Sequence, residues 1–178
     1  RMERSDGPHY FSVACGAGID ARVMAETASE EKRKWGIGAY VATAMRVLPD
    51  MRSHDYIVTV DGVEYEVNAA MVLVANCGEV IPPVLKLGHG INPYDGLLDA
   101  VVVQADGMWD TVRAIWHVLR DLPSTHGSGT FIGYARGRVI SVRCDTVQPV
   151  ELDGEPGGST PFTAEVVPGA ITVVVPNR

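Results

Sequence analysis

The chain has 178 residues, of which 46% are hydrophobic and 21% charged, and carries a net charge of −7. That length supports one domain with a real core and little room for a second, and the composition is neither disordered nor fibrous. The negative balance argues against a generic basic surface for nucleic acid, so any phosphate is expected to be held locally, by backbone amides, a metal ion or a partner domain.

Cys15, Cys77 and Cys144 are odd in number, widely separated and set in apolar or strand-like surroundings. They are expected as buried thiols in a reducing compartment, and not as a disulfide framework or a zinc site. No run reaches the ~18 apolar residues needed to span a bilayer, and the polar residues 1–9 lack a signal-peptide core. The expectation is a soluble, cytoplasmic protein whose membrane contact is peripheral. Arg1 precedes the first methionine and a strand pattern begins almost at once at Tyr10, which suggests a fragment cut at a domain boundary.

Residues 10–15 alternate weakly and read as a strand. Gly16-Ala17-Gly18-Ile19-Asp20-Ala21 follows and mimics a dinucleotide-binding fingerprint. The context does not fit. The window about 20 positions on, where a second strand should end in an acid, holds Glu30, Glu31, Lys32, Arg33 and Lys34, a helical set. The glycines are better read as permitting a tight strand-to-helix turn, with Asp20 either capping the helix or facing a cleft. A helical stretch to about Ala28 precedes a longer helix over 29–48. Ser29 serves as its N-cap, and Tyr40, Val41, Ala44, Val47 and Leu48 share a face. Lys32, Arg33 and Lys34 beside Trp35 read first as a solvated face and second as a surface for anionic headgroups.

Residues 56–60 and 63–67 alternate around Asp61-Gly62, a two-residue hairpin turn. Residues 69–75 form a continuous apolar run, as in a strand buried on both faces, and Asn76-Cys77-Gly78 closes it. The Pro- and Gly-rich stretch 79–95 reads as an irregular loop, and its lone His89 has no second soft ligand nearby. Residues 109–120 read as an amphipathic helix with His117 off its apolar face. Further strands are expected at 131–135, 139–144, 147–152, 162–167 and 171–175, with turns at Arg136-Gly137, Asp145-Thr146, Gly157-Gly158 and Pro168-Gly169. Strands that succeed each other directly, against only two or three helices, predict a mainly β fold, an antiparallel β-sandwich.

Two acidic bends stand out. Asn92-Pro93-Tyr94-Asp95-Gly96 places a carboxylate and several backbone carbonyls on a turn at the mouth of the strand over 97–103, a hard oxygen set suited to Mg²⁺ or Ca²⁺. Asp153-Gly154-Glu155 brings a strand to a hairpin corner with two carboxylates, the second on a flexible, exposed edge before Pro156. Such a pair at a rim can hold Mg²⁺ on a nucleotide phosphate or position a hydroxyl.

Gly16-x-Gly18-Ile19-Asp20-Ala21, Lys32-Arg33-Lys34-Trp35-Gly36, Asn76-x-Gly78, Asp95-Gly96-Leu97-Leu98-Asp99 and Asp153-Gly154-Glu155 follow one another in this order over nearly the whole chain. Together they resemble the C-terminal β-domain of the diacylglycerol kinase and sphingosine kinase family, above all the bacterial soluble lipid kinases. Cys77 departs from the family's glycine. The family's Gly-Gly-Asp-Gly-Thr nucleotide motif belongs to a separate N-terminal domain and does not occur in these residues.

The resemblance implies that residues 1–178 form the single C-terminal domain of a two-domain lipid kinase, inactive without its N-terminal nucleotide-binding partner. It implies a Mg²⁺ site made by Asp95 with the backbone carbonyls of Asn92 and Leu97, completed by water. It implies that Glu155 is the catalytic acid facing the nucleotide, binding Mg²⁺ directly or through water, with Asp153 supporting that cofactor-facing turn. Asp20 would lie near the polar end of the lipid. ATP and a lipid hydroxyl, as in diacylglycerol or a sphingoid base, are the implied substrates, at the inner membrane face; homodimerisation stays open. The alternative is a stand-alone β-sandwich that binds a lipid or protein partner without catalysis.

Overall fold

The computed structural model describes residues 1–4, 7–18, 52–81, 85–86, 90–105 and 130–174. In chain order its strands are β1 (Met2–Arg4), β2 (Gly7–His9), β3 (Ala14–Gly18), β4 (His54–Val60), β5 (Val63–Ala69), β6 (Met71–Ala75), β7 (Glu79–Ile81), β8 (Leu85–Lys86), β9 (Leu98–Ala105), β10 (Thr130–Gly137), β11 (Val139–Cys144), β12 (Pro149–Leu152), β13 (Glu155–Ser159) and β14 (Phe162–Glu165). The helices expected before residue 49 and over 109–120, together with Asp20, Lys32 to Trp35, His89 and His117, lie outside the described residues.

Two six-stranded sheets form the fold, the first ordered β2-β1-β14-β11-β4-β5 and the second β10-β9-β6-β3-β12-β13, beside a small β7-β8 pair. Their pairings are antiparallel, as predicted. The core lies between the sheets. Alternate residues of the first sheet (Tyr56, Val58, Val60, Ile140, Val142, Phe162, Ala164) meet alternate residues of the second (Cys15, Ala17, Val72, Val74, Ala100, Val102, Val150, Leu152) in one cluster. The period of two explains why: each strand turns every second side chain inward.

The second sheet is buried on its other face as well. Ala14, Leu73, Ala75 and Val101 form a separate cluster with Val13 and Ile91. Hence 71–75 is apolar without alternation, as expected for a strand covered twice. The edge strand β5 shows the opposite: Val63 to Glu66 are all exposed.

The hairpin of β4 and β5 pairs His54 with Ala69 through Val60 with Val63 around Asp61-Gly62, whose φ values of 46° and 87° make a type I′ turn. Gly16-x-Gly18 lies in β3, between the antiparallel neighbours β6 and β12, so the fingerprint belongs to no parallel unit. It is strand, and no strand-to-helix turn falls between these glycines. Gly18 is required there: at φ 100° a Cβ would sit 2.5 Å from the Ala70 carbonyl oxygen.

Several boundaries differ from expectation. The polar start contributes β1 and β2, because β1 finds an open edge on β14. Gly157-Gly158 lies within β13, not at a turn; Gly157 is buried where any side chain would strike Leu152. Part of 79–95 forms the β7-β8 pair. Residues 171–174 are exposed and paired into none of the described sheets, although Ile171, Val173 and Val174 are apolar. None of the three cysteines is in a disulfide, and only Cys15 is fully buried.

Candidate functional site

One transverse row of the second sheet organises the site. Ala14 pairs with Ala75, Ala75 with Asp99 and Asp99 with Arg136, while the Asp153 N–H donates to the Ala14 carbonyl at 2.9 Å. Both acidic bends therefore leave the same end of this sheet. They lie at different places along it. From β13 to β9 there are four strand intervals, or roughly 19 Å at the usual ~4.8 Å spacing. One ion could not be shared between bends so far apart.

The Asp153-Gly154 corner is a second type I′ turn, with φ values of 48° and 86°. Its Asp153 carboxylate accepts from the backbone N–H of Ser12 (2.7 Å), Val13 (2.8 Å) and Ala14 (3.0 Å), and from the Ser12 hydroxyl at 2.9 Å. Four donors leave its two oxygens fully engaged in fixing the entry to β3. From beneath, the Glu151 carboxylate accepts the Gly154 N–H at 2.6 Å, although Glu151 is only 3% exposed. Glu155 follows immediately, exposed, and opens β13 opposite Leu152. It sits on the edge strand of the second sheet, after a doubly held turn.

The other bend is built on local bonds. Asp95 Oδ1 accepts the Leu97 N–H at 2.9 Å, the Asn92 side-chain oxygen accepts the Tyr94 N–H at 3.0 Å, and the Asn92 carbonyl accepts the Asp95 N–H at 3.4 Å. Arg136 holds this bend to the sheet. Its Nε donates to Asp99 at 2.8 Å, its Nη2 donates to the Gly90 carbonyl at 2.6 Å, and its Nη1 lies 3.9 Å from Asp95 Oδ2. The hydrogen bond and charge of Asp99 push the guanidinium pKa upward, with Asp95 adding to the effect.

Asn76-x-Gly78 links the two bends. The Asn76 side chain donates to the Ser12 carbonyl at 2.9 Å, and the backbone N–H groups of Asn76 and Cys77 both donate to Val13. Gly78 then admits the loop carrying the second bend, since a Cβ there would lie 3.0 Å from the Ile91 carbonyl oxygen. A continuous path runs from Asp153 through residues 12–14, Asn76 and Gly78 to the loop of Asn92 and Asp95. Sequence reasoning assigns no site role to three contributors: Glu151, Asp99 and Arg136, the last expected in a turn but lying within β10. The signal available was a charged residue inside each strand pattern, which a buried carboxylate needs a partner to justify.

Asp153, Glu155, Asn92, Asp95 and Leu97 all fall at this end of the sheet, whereas Asp20 lies outside the described residues.

Comparison with known proteins identifies the family of the fold. The family model described as the YegS C-terminal NAD kinase beta sandwich-like domain matches residues 13–175. A Staphylococcus haemolyticus protein named "Putative lipid kinase SH2167" is 28% identical over 165 residues, covering 93% of this chain and 53% of that protein. The "Diacylglycerol kinase" of Bacillus subtilis is 24% identical over 173 residues, covering 97% and 55%. A crystal structure described as that of "a putative diacylglycerol kinase" from Bacillus anthracis superposes with a TM-score of 0.67 at 26% identity, over 89% of this chain and 50% of the other. The chain thus spans about half the length of the relatives it matches. With most of its length matched by one family model, the chain belongs to the YegS C-terminal, NAD kinase beta sandwich-like domain family.

Proposed function

We propose that this domain is the lipid-side, metal-supporting half of an ATP-dependent lipid kinase, which moves a phosphoryl group to the hydroxyl of a lipid such as diacylglycerol or a sphingoid base. The observation that carries the reading is Glu155: an exposed carboxylate, first in its strand, on a turn held by Asp153 and Glu151. Phosphoryl transfer needs little covalent chemistry from the protein and much positioning of charge. A carboxylate that reorients little on binding suits that requirement. In this reading Glu155 faces the nucleotide presented by an N-terminal kinase domain, and Asp153 holds the turn without touching the cofactor.

The residues of the other bend fit a Mg²⁺ ion. Asp95 Oδ1 accepts the Leu97 N–H, so Oδ2, which Arg136 Nη1 approaches to 3.9 Å, is the carboxylate oxygen left for an ion, and the carbonyls of Asn92 and Leu97 would supply further hard oxygens. Bound there, Mg²⁺ supplies fixed positive charge close to the Asp95 carboxylate. Asp20 is assigned to the polar end of the lipid, and the protein to the cytoplasmic side of the membrane, where it meets its substrate peripherally.

The test is transfer of radiolabelled phosphate from ATP to a panel of lipids by the intact protein, wild type against Glu155→Gln. Loss of transfer with an unchanged circular-dichroism spectrum supports the assignment. Full activity in the variant removes Glu155 from the mechanism.

A further inference from the structure

At the opposite end of the strands from the acidic bends, three side chains of different chemistry converge. His54 opens β4, Cys144 closes β11 and Asp145 follows it. Their ligand atoms, one imidazole nitrogen, one sulfur and one carboxylate oxygen, all lie within 4.8 Å of one another. The Cys144 sulfur is 3.4 Å from Asp145 Oδ1, and His54 Nδ1 is 3.9 Å from the same oxygen. Zinc bonds of ~2.0 to 2.3 Å in a tetrahedron put ligand atoms about 3.3 to 3.7 Å apart. The cluster is therefore near the spacing required before any ion enters.

We propose that His54, Cys144 and Asp145 form a site for a tetrahedral, borderline-soft divalent cation of the zinc class, distinct from the oxygen-only bend at Asp95. The donor set selects the metal: one thiolate and one imidazole favour Zn²⁺ over Mg²⁺ or Ca²⁺, which take oxygen. The ion has a way in, because the His54 and Asp145 side chains are 28% and 54% exposed, and the fourth position falls to water.

Two neighbours prepare the site. The Thr146 hydroxyl lies 2.7 Å from His54 Nδ1 and 2.9 Å from Asp145 Oδ1. It holds imidazole and carboxylate together and gives way when the cation takes its place. Beneath the cluster, the Tyr56 hydroxyl is buried and makes no strong hydrogen bond, its one polar contact among the described residues being the weakly accepting thiol of Cys144. The Cys144 side chain is its nearest polar neighbour, with the Asp145 carboxylate behind it. A thiol is a weak acceptor, whereas a metal-bound thiolate is a strong one, so metal binding would strengthen the contact between Tyr56 and Cys144 and make the hydroxyl an outer-shell partner. The site also explains where an ion would act. Residues 145–148 carry the chain from β11 in the first sheet to β12 in the second, so the cation would clip that crossover to the start of β4.

The test uses Co²⁺ as a spectroscopic stand-in for Zn²⁺, added to the full chain in the presence of excess Mg²⁺. Expected are the thiolate-to-cobalt charge-transfer band and the intense visible bands of a tetrahedral centre, bleached by one equivalent of Zn²⁺. The bands should vanish in Cys144→Ser and His54→Gln and persist in Cys77→Ser. Tyr56→Phe should weaken Zn²⁺ affinity about 10-fold, in the range for an outer-shell group. Because Cys144 packs against the core, His54→Gln, outside that cluster, keeps the test valid if Cys144→Ser fails to fold. Absence of the charge-transfer band in wild type, or its survival in His54→Gln, overturns the proposal.

Discussion

Asp61 and Asp153 are the same device used in different sheets. Each occupies the left-handed first position of an Asp-Gly type I′ turn, at φ 46° and 48°. Each sends its carboxylate sideways to the backbone N–H groups where the chain enters a third strand. Asp61 takes Arg138 and Val139 at the entry to β11, and Asp153 takes Ser12, Val13 and Ala14 at the entry to β3. In both cases that third strand is the other neighbour of the hairpin's first strand. One short side chain thus closes a hairpin and sets the register of a strand distant in sequence.

Removing either carboxylate should cost more than an ordinary turn substitution. Asp153→Ala leaves three N–H groups without an acceptor and puts alanine at a left-handed φ, an expected loss of about 2 to 4 kcal/mol. Asp153→Asn tolerates the backbone and keeps one acceptor, so it should lose less. Urea unfolding measures both. The two devices share no partner, so Asp61→Asn and Asp153→Asn should combine additively to within about 0.5 kcal/mol.

Arg136→Met should destabilise the loop that carries Asp95. Asp99, whose side chain is 8% exposed, would remain buried without its cation. The expected loss is about 2 to 4 kcal/mol, short of the fully buried range because Arg136 itself is 41% exposed. A double-mutant cycle with Asp99→Asn should recover part of that loss, and strict additivity would remove the pairing from the account.

Tyr56 should set an alkaline limit on stability. Burial, then the nearby Cys144 and Asp145, push its phenol pKa well above the ordinary 10.0. Between the two values the unfolded chain releases this proton while the folded chain keeps it. Stability should therefore be unaffected by this group below pH 10 and fall as pH rises beyond it. Tyr56→Phe should reduce that fall and, by deleting a buried hydroxyl whose one contact is a weakly accepting thiol, leave the metal-free protein about as stable at pH 7. Denaturant melts of both proteins across this pH range measure the difference.

Asp95→Ala should abolish any stabilisation by Mg²⁺. Melting temperature followed with Mg²⁺ and after chelation with EDTA is expected to separate for wild type and to coincide for the variant. A wild type indifferent to chelation would remove the ion from this bend.

Local chemistry made much of the fold legible. Alternation placed β4 and β5, turn residues bracketed β11 and β14, Asp61-Gly62 fixed a hairpin, and the unbroken apolar run at 69–75 announced the strand covered on both faces. The acidic bends were visible too, because Asp-Gly pairs encode their own turns. What sequence could not supply was partnership across long separations. The Gly157-Gly158 pair resembles a turn until β12 is there to pair with it, and 171–174 resemble a strand although no sheet edge receives them. Glu151, Asp99 and Arg136 gain their roles only from neighbours on other strands. His54 and Cys144, ninety positions apart in sequence, come within ligand distance of each other only because β4 and β11 are adjacent in the first sheet. The sequence by itself determined the antiparallel sheet architecture and the turns that present Asp95 and Glu155, since both follow from side-chain period and backbone preference. Tertiary structure alone decided which polar groups meet, because strand pairing brings together residues that no local rule connects.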